Sequence, residues 1–281
     1  LPNQHLAAWL EQLSNDNSQG EYYLTDVVEL AQRQNVAIDY VIAPHHYEVL
    51  GVNNKLQHEQ LERFYQIIQA NKLLEAGVTL FDKRRIDIRG SLSAGSDCSI
   101  DVNCIFEGVV KLGNNVQIGA GCHLKNVTIA NNVTIKAYSL LDDSVVADGA
   151  QIGPFARLRP GSSLAENSHV GNFVEIKNSS LGIGSKVNHL TYIGDALIGN
   201  KVNVGAGSIT CNYDGKNKFK TIIGNNVFIG SGTMMVAPVK INDGSLIGAG
   251  SVITHDTPEN ELTLARAKQV TVSGWHKSNK K

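Results

Sequence analysis

The sequence predicts a mainly β fold: a left-handed parallel β-helix of hexapeptide repeats, preceded by a partial α/β segment and a linking helix. Three observations support this prediction. Aliphatic residues recur at a six-residue spacing over most of the chain, small residues often follow them, and roughly the first 82 residues lack the spacing. An α-helix would repeat near 3.6 residues and an isolated strand at about 2, so neither explains a sustained period of six.

The six-residue spacing is unbroken in two runs of the chain. Their members are Val146, Ile152, Leu158, Leu164, Val170 and Ile176, and then Ile223, Ile229, Met235, Ile241, Ile247 and Ile253. The same spacing holds earlier in the chain, through Ile88, Ala94, Ile100, Phe106, Leu112, Ile118 and Leu124. Three hexads close one coil of about eighteen residues, with the repeated side chain pointing inward. A fully buried aliphatic side chain contributes about 1.5–3 kcal/mol, and coils become stable only when they stack.

The chain before the repeats is expected to be the remnant of an α/β domain over residues 1–55, followed by the linking helix over 56–82. Apolar spacing predicts short helices over 5–13 and 27–32. The stretch 36–42 is predicted to be a strand, and Pro44 is expected to end it.

The β-helix is predicted over 83–255, with a C-terminal tail over 256–281. The rhythm after Ile209 stops at Cys211 and resumes at Ile223. We therefore expect 211–222 to leave the coil as an external loop, which is polar and basic. Insertions in repeat arrays lie on one face, often the binding face.

Composition excludes several classes of function. The formal net charge is −1, with 25 basic and 26 acidic residues, which gives no sign of nucleic-acid binding. No apolar run approaches the roughly 20 residues of a membrane helix, and nothing resembles a signal peptide. The four cysteines lack metal-ligand spacing. We expect them to be free thiols in a reducing cytoplasm.

The repeat register predicts where the outward side chains lie. Leu158 and Ile176 are eighteen residues apart, so Arg159 and Lys177 should stack on one face about 4.8 Å apart. Two stacked cations repel each other unless an anion neutralises them, and a bound phosphate is the simplest explanation. The alternative is a solvated pair of flexible side chains without a ligand.

His189 is the candidate general base, because it lies near the predicted anion site. Glu175, one coil below, is expected to orient its imidazole. Tyr192 is expected on the following face, and Asn203 on the same side as His189 one coil later. His169 and His189 do not share a register position, and no third histidine joins them. A zinc site of the carbonic anhydrase type is therefore weakly supported.

Four segments resemble a known family. They are Ala156-Arg-Leu-Arg-Pro-Gly161, Gly171-Asn-Phe-Val-Glu-Ile-Lys177, Asn188-His-Leu-Thr-Tyr-Ile-Gly-Asp195 and Gly205-Ala-Gly-Ser-Ile-Thr-Cys-Asn-Tyr-Asp-Gly215. They are similar to the acetyltransferase half of the bifunctional N-acetylglucosamine-1-phosphate uridyltransferase/glucosamine-1-phosphate N-acetyltransferases of bacteria. The resemblance covers the whole chain, including Gly20-Glu-Tyr-Tyr-Leu-Thr-Asp26 and Gly51-Val-Asn-Asn-Lys-Leu-Gln57.

The resemblance implies acetyl-CoA-dependent N-acetylation of glucosamine-1-phosphate, which feeds UDP-N-acetylglucosamine synthesis for the cell wall and lipopolysaccharide. It implies that His189 is the general base and that Glu175 orients it. The implied phosphosugar ligands are Arg159, Lys177, Tyr192, Asn203 and Lys218. The implied acetyl-CoA contacts are Ala206, Asn212, Tyr213, Ser231, Ala249 and Arg266. Oxyanion stabilisation by N–H groups of the corner 205–207 is a further hypothesis.

The resemblance also implies small-molecule substrates and a homotrimer whose subunits share sites. Asn53 matches a position that contacts magnesium and the nucleotide sugar in the uridyltransferase half. The chain begins after that half's glycine-rich nucleotide loop and signature lysine. We therefore expect a trimmed fragment without uridylyl transfer; formation of UDP-N-acetylglucosamine from UTP would contradict this expectation.

Two alternatives remain open from the sequence. Another hexapeptide acyltransferase, acting on a serine hydroxyl or using acyl carrier protein, would accept a phosphate-free acceptor equally well. A trimeric structural or ligand-binding solenoid would release no coenzyme A from acetyl-CoA and glucosamine-1-phosphate.

Overall fold

The structure is a computed structural model that describes residues 3–275. The last six residues of the predicted tail, 276–281, lie outside the described residues. The chain divides into two compact units, with the division between Leu61 and Glu62. Each unit has its own group of buried apolar side chains.

The first unit is helical. It contains α-helices Asn3–Leu10 and Val27–Arg33 and single 3₁₀ turns at Leu24–Asp26 and His46–Val49. Its core is small, with Trp9 at its centre against Val27. The prediction of a strand over 36–42 is wrong, because this stretch is irregular and mostly exposed. No strand lies elsewhere in residues 3–61 to pair with it, and an unpaired strand leaves its backbone groups without partners.

The long helix spans Lys55–Glu75 and thus crosses the division. The part of this helix within the second unit covers the first long strand of the β-helix. The Gln66 side chain donates to the Ile88 carbonyl (2.9 Å) and accepts from the Ile88 N–H (2.8 Å). One amide therefore satisfies both backbone groups that a neighbouring strand would otherwise satisfy, which closes an edge of the sheet.

The second unit is a parallel β-helix with three faces, as predicted. The first face is a sheet of eleven strands within the described residues: Thr79–Leu80, Ser99–Ile100, Gln117–Ile118, Thr134–Ile135, Gln151–Ile152, His169–Asn172, Lys186–His189, Asn203–Val204, Phe228–Ile229, Leu246–Ile247 and Leu262–Thr263. The paired strands therefore extend on both sides of the predicted limits 83 and 255.

The second and third faces are joined by two long strands, Ile86–Ala94 and Cys104–Leu112, which bend across both. The second face continues with His123–Lys125, Leu140–Asp142, Arg157–Leu158, Glu175–Lys177, Tyr192–Gly194, Ile209–Cys211, Met234–Val236 and Val252–Ile253. The third face continues with Thr128–Ile129, Val145–Val146, Ser163–Leu164, Ser180–Leu181, Ala196–Ile198, Thr221–Ile223 and Val239–Ile241. Every ladder pair is parallel, since each strand contacts its equivalent one coil away.

The six-residue spacing marks the core. All twelve aliphatic residues of the two unbroken runs are buried, with at most 2% of their surface exposed. The position between Val204 and Ile223 departs from the aliphatic rule, because Thr210 points inward there. Its hydroxyl donates to the Gly194 carbonyl (3.0 Å) and accepts from the Gly194 N–H (2.7 Å). A buried hydroxyl is tolerated when both of its hydrogen bonds are made in this way.

One corner of the β-helix carries a row of large side chains whose backbone has a positive φ. Tyr138, Phe155 and Phe173 have positive φ values of 58°, 54° and 56°, and their rings stack with centroids 5.3 and 5.4 Å apart. Leu190 continues the row with a φ of 50°. Bulky residues adopt this conformation only at an energetic cost, because Cβ approaches the backbone. The aromatic stack ends at Phe173, one coil below His189.

Candidate functional site

The predicted stack of outward side chains on the second face matches the strand register. Leu158 pairs with Ile176 across neighbouring coils, which places Arg159 beside Lys177. In the next coil, Gly194 pairs with Lys177. A Cβ at Gly194 would lie 2.4 Å from the Tyr192 hydroxyl oxygen. Because residue 194 has no side chain, the Tyr192 ring occupies the space beside Lys177 that a side chain at 194 would fill.

Glu175 has different partners from the one expected. Its carboxylate accepts a hydrogen bond from Arg159 Nη1 (2.8 Å) and lies 3.7 Å from Arg157 Nη1. The expectation that Glu175 orients His189 therefore has no contact to support it. The structural reason is that Glu175 and Arg157 are directly paired neighbours on one face, whereas His189 ends a strand of another.

Lys177 faces a second lysine rather than an acid. Lys218, from the external loop, lies close enough to lower the pKa of the Lys177 ammonium, and the Arg159 charge adds to this effect. Asp195 opposes it. Like charges held together in this way repel each other, and a bound anion would relieve that repulsion.

His189 lies at the end of a first-face strand, three residues before the second face begins at Tyr192. Its side chain is exposed, and its Nδ1 lies 2.9 Å from Asn172 Oδ1. Asn172 is its register neighbour one coil below. The His189 carbonyl accepts hydrogen bonds from Thr191 Oγ1 (2.7 Å) and the Gly207 N–H (3.2 Å). The backbone of the histidine is therefore held from both sides.

The other first-face residues fall at separate positions. Asn203 pairs with Lys186, three residues before His189, in the next coil of the same sheet. His169 also pairs with Lys186, whereas His189 pairs with Asn172. The two histidines thus occupy different register positions, as predicted.

The external loop leaves the coil after Cys211 and returns at Thr221. Tyr213 and Lys218 form an antiparallel bridge, and the Phe219 N–H donates to the Asn212 carbonyl (2.9 Å). The Asn212 side chain is buried and donates to the Asp195 carboxylate. The loop is therefore a small hairpin that brings three predicted site residues, Asn212, Tyr213 and Lys218, to one end of the second face.

Four of the six predicted acetyl-CoA residues form a row along one corner. The Gly232 N–H donates to the Ala206 carbonyl, and the Gly250 N–H donates to the Ser231 carbonyl, both at 2.8 Å. Arg266 Nη1 donates to the Ala249 carbonyl (2.7 Å). Each residue of the row is thus separated from the next by one coil. The row begins next to His189, whose carbonyl accepts from the N–H of Gly207, which follows Ala206.

Asn53 lies apart from these residues in sequence and belongs to the first unit. It is exposed, and its backbone N–H donates to Gln57 Oε1 (2.8 Å). Among the described residues no group of three or more His, Cys, Asp or Glu could hold a metal ion. Magnesium keeps several water ligands and takes few from a protein, so the contact of Asn53 with this ion stays a prediction.

Two site residues were not assigned from the sequence, Asn172 and Asp195. Both lie inside the segments that carry the family resemblance. Asp195 is nearly buried, at 8% exposure, and its φ of 50° is one that Asp and Asn tolerate. A polar residue directly after an inward Ile-Gly pair was the available signal.

Comparison with known proteins agrees with the β-helical fold. Residues 220–255 match the bacterial transferase hexapeptide model of six repeats, and residues 88–165 match the GMPPB C-terminal domain. The Bifunctional protein GlmU of Chromobacterium violaceum is 62% identical over the whole chain, and that of Nitrosospira multiformis is 53% identical. The chain belongs to this family. It spans 62% and 61% of the length of these two GlmU relatives.

A solved UDP-N-acetylglucosamine acyltransferase from Campylobacter jejuni is 18% identical, over 66% of this chain and 71% of that one, with a TM-score of 0.40. The four cysteines of this GlmU-family chain are free thiols. No helix among the described residues is both long and apolar enough to cross a membrane.

Proposed function

We propose that this chain transfers the acetyl group of acetyl-CoA to the 2-amine of glucosamine-1-phosphate. One observation carries the proposal: Lys177 and Lys218 form a cationic site beside Arg159, on the face that the chain enters three residues after His189. A sugar phosphate would supply the anion that this site lacks. The membership in the GlmU family supports the same substrates.

The reaction needs a base, because an ammonium has no lone pair for attack. If His189 Nδ1 carries a proton and donates it to Asn172 Oδ1, its Nε2 has a free lone pair. In the proposed step the amine nitrogen forms a bond to the thioester carbon, and Nε2 accepts the proton that the nitrogen releases. The C–S bond then breaks, and the leaving thiolate takes the proton from the His189 imidazolium, so that coenzyme A leaves as a thiol and the base is regenerated.

The phosphosugar is proposed to lie against Arg159, Lys177 and Lys218, with Tyr192 and Asn203 contacting the sugar. Acetyl-CoA is proposed to follow the corner row of Ala206, Ser231, Ala249 and Arg266, with Asn212 and Tyr213 near the acetyl group. Along that corner, Gly207, Gly232 and Gly250 have no side chains, and a Cβ at these positions would meet nothing closer than 3.9 Å. The corner thus leaves space for an extended ligand.

Two of the three N–H groups that the sequence proposed as oxyanion donors already donate to backbone carbonyls. The Gly205 N–H donates to the Ile229 carbonyl (2.8 Å), and the Gly207 N–H donates to the His189 carbonyl (3.2 Å). Neither is free to stabilise a developing charge. The proposed oxyanion donor at this corner is therefore the Ala206 N–H, because it lies between them.

We further propose that three copies assemble and share these sites, and that the protein works in the cytoplasm. The loop between Cys211 and Thr221 leaves the coil, and Tyr213 within it is 60% exposed. An exposed aromatic side chain next to a cationic site is suited to contact with a neighbouring copy. The free cysteines suit a reducing compartment.

The proposal is tested by release of coenzyme A thiol from acetyl-CoA, with glucosamine-1-phosphate or glucosamine as the acceptor. We expect rapid release with the phosphosugar and little with glucosamine. Equal rates with both acceptors would favour another hexapeptide acyltransferase. No release with either would favour a non-enzymatic solenoid, and mass spectrometry of the sugar product separates acetylation from thioester hydrolysis.

A further inference from the structure

Asp195 is the acidic residue beside Lys177 and Lys218, and the proposed reaction gives it no role. Its carboxylate accepts one hydrogen bond from Asn178 Nδ2 (2.6 Å) and another from Asn212 Nδ2. Asn178 lies on the coil below, directly after Lys177, and Asn212 is the first residue of the external loop. One carboxylate therefore connects the loop to the coil below it.

The backbone of Asp195 makes the same connection. Its N–H donates to the Lys177 carbonyl (3.1 Å), and its carbonyl accepts from the Thr221 N–H (3.2 Å), where the loop returns to the coil. Asp195 thus holds the start of the loop through its side chain and the end through its main chain. Lys218 lies between these two attachments.

The charges around Asp195 are mainly positive. Lys177 from the second face and Lys218 from the loop both act on its carboxylate, and Lys220 lines the adjoining cleft. Burial acts to raise the pKa of Asp195, but hydrogen bonds from Asn178 and Asn212 and the two lysine charges hold it below its ordinary value. The carboxylate is therefore ionised near neutral pH and partly offsets the repulsion between the lysines.

We infer that Asp195 is the positioning residue of the phosphosugar site: its carboxylate anchors the loop and keeps Lys177 and Lys218 together as charged groups. This inference rests on the proposed function. Asp195 does not contact the substrate in this arrangement, and it acts through the two lysines. Its loss should weaken phosphosugar binding more than it slows the transfer step.

The test compares Asp195→Asn with Asp214→Asn in the full chain. Asparagine preserves the shape at 195 and tolerates its positive φ, so the β-helix should fold. Asp214 is a loop carboxylate that accepts from the N–H groups of Lys216 and Asn217. An asparagine there keeps the acceptor oxygen, so Asp214→Asn controls for loss of one negative charge close to the same lysines.

We expect Asp195→Asn to raise the KM for glucosamine-1-phosphate by roughly tenfold, since charged hydrogen bonds are lost, with a smaller change in kcat. The alkaline limb of kcat/KM should move to lower pH, because Lys177 then loses the carboxylate that opposes Lys218. Asp214→Asn should leave KM and the limb in place. An Asp195→Asn enzyme with a normal KM, or with uniformly lower activity and an unmoved limb, would overturn the inference.

Cleavage of the loop by trypsin tests the anchoring independently of catalysis. Lys216, Lys218 and Lys220 are exposed, and we expect Asp195→Asn to be cut there several-fold faster than the wild type, with Asp214→Asn unchanged. Equal cleavage rates would overturn the anchoring. If the wild type released no coenzyme A, the proposed function would fail, and faster cleavage of Asp195→Asn would still support the anchoring of the loop.

Discussion

Two stretches of the second face carry the same kinds of side chain in opposite arrangements. In the earlier coils, Lys125 lies 3.0 Å from Glu107, which raises the pKa of the lysine and lowers that of the glutamate. In the later coils, Lys177 faces Lys218, and the pKa of Lys177 falls instead. The contrast distinguishes a surface ion pair, whose charges offset each other, from a group of like charges, which is the proposed phosphosugar site.

The same contrast separates the two histidines of these stretches. His123 lies 3.4 Å from the Glu107 carboxylate, within the paired stretch. His189 contacts the neutral side chain of Asn172 and lies next to the cationic stretch. His123 thus belongs to a group of paired side chains, whereas the proposed base His189 is oriented by an amide. Substitutions at matched positions test this distinction.

The largest effect is expected at His189. His189→Ala should lower the rate of thiol release by roughly 10²–10⁴-fold, because a general base contributes that much, with the KM for both substrates nearly kept. The matched control is His123→Ala, which we expect to be as active as the wild type. Similar losses in both variants would remove the distinction between the two stretches.

The next effect is expected at Lys177. Lys177→Ala should raise the KM for glucosamine-1-phosphate by roughly tenfold or more, since a charge-assisted hydrogen bond to phosphate is lost. Lys125→Ala should leave that KM unchanged. The measurement is steady-state kinetics with each substrate varied in turn. An increase confined to the KM for acetyl-CoA would mean that Lys177 belongs to the coenzyme site.

A pH dependence follows from the lowered pKa of Lys177. The lysine loses its charge at a lower pH than an ordinary lysine, so phosphosugar affinity should begin to fall earlier on the alkaline side. Lys177→Arg keeps the charge over this range, and its KM should rise less with pH. Profiles of kcat/KM for the two enzymes check this; identical alkaline limbs would show that Lys177 does not determine the limb.

The smallest effect is expected within the paired stretch. Glu107→Gln removes the carboxylate that pairs with Lys125 and His123. Exposed ion pairs contribute little to stability, so the melting temperature measured by circular dichroism and the rate of thiol release should both stay close to those of the wild type. A large loss of activity would mean that the catalytic site extends further along the face than proposed.

The β-helix followed from the sequence because burial repeats with the chain. Leu158, Ile176 and Ile193 face inward at the positions that counting predicts, and the pairing of Leu158 with Ile176 places Arg159 beside Lys177. The interruption after Cys211 likewise predicted the loop that carries Lys218. These inferences require only counting along the repeat, because the six-residue period assigns each position to the inside or the outside of the coil.

The side-chain contacts between coils, and those with the loop, could be identified only from the tertiary structure. Glu175 pairs with Arg159 and Arg157 instead of His189, and Asn172 takes the place beside the imidazole. Asp195 joins the loop to the coil below through the side chains of Asn178 and Asn212. Register specifies which backbones are neighbours, whereas the choice among side-chain partners depends on rotamers, charge and burial. These are established only when residues distant in sequence pack together.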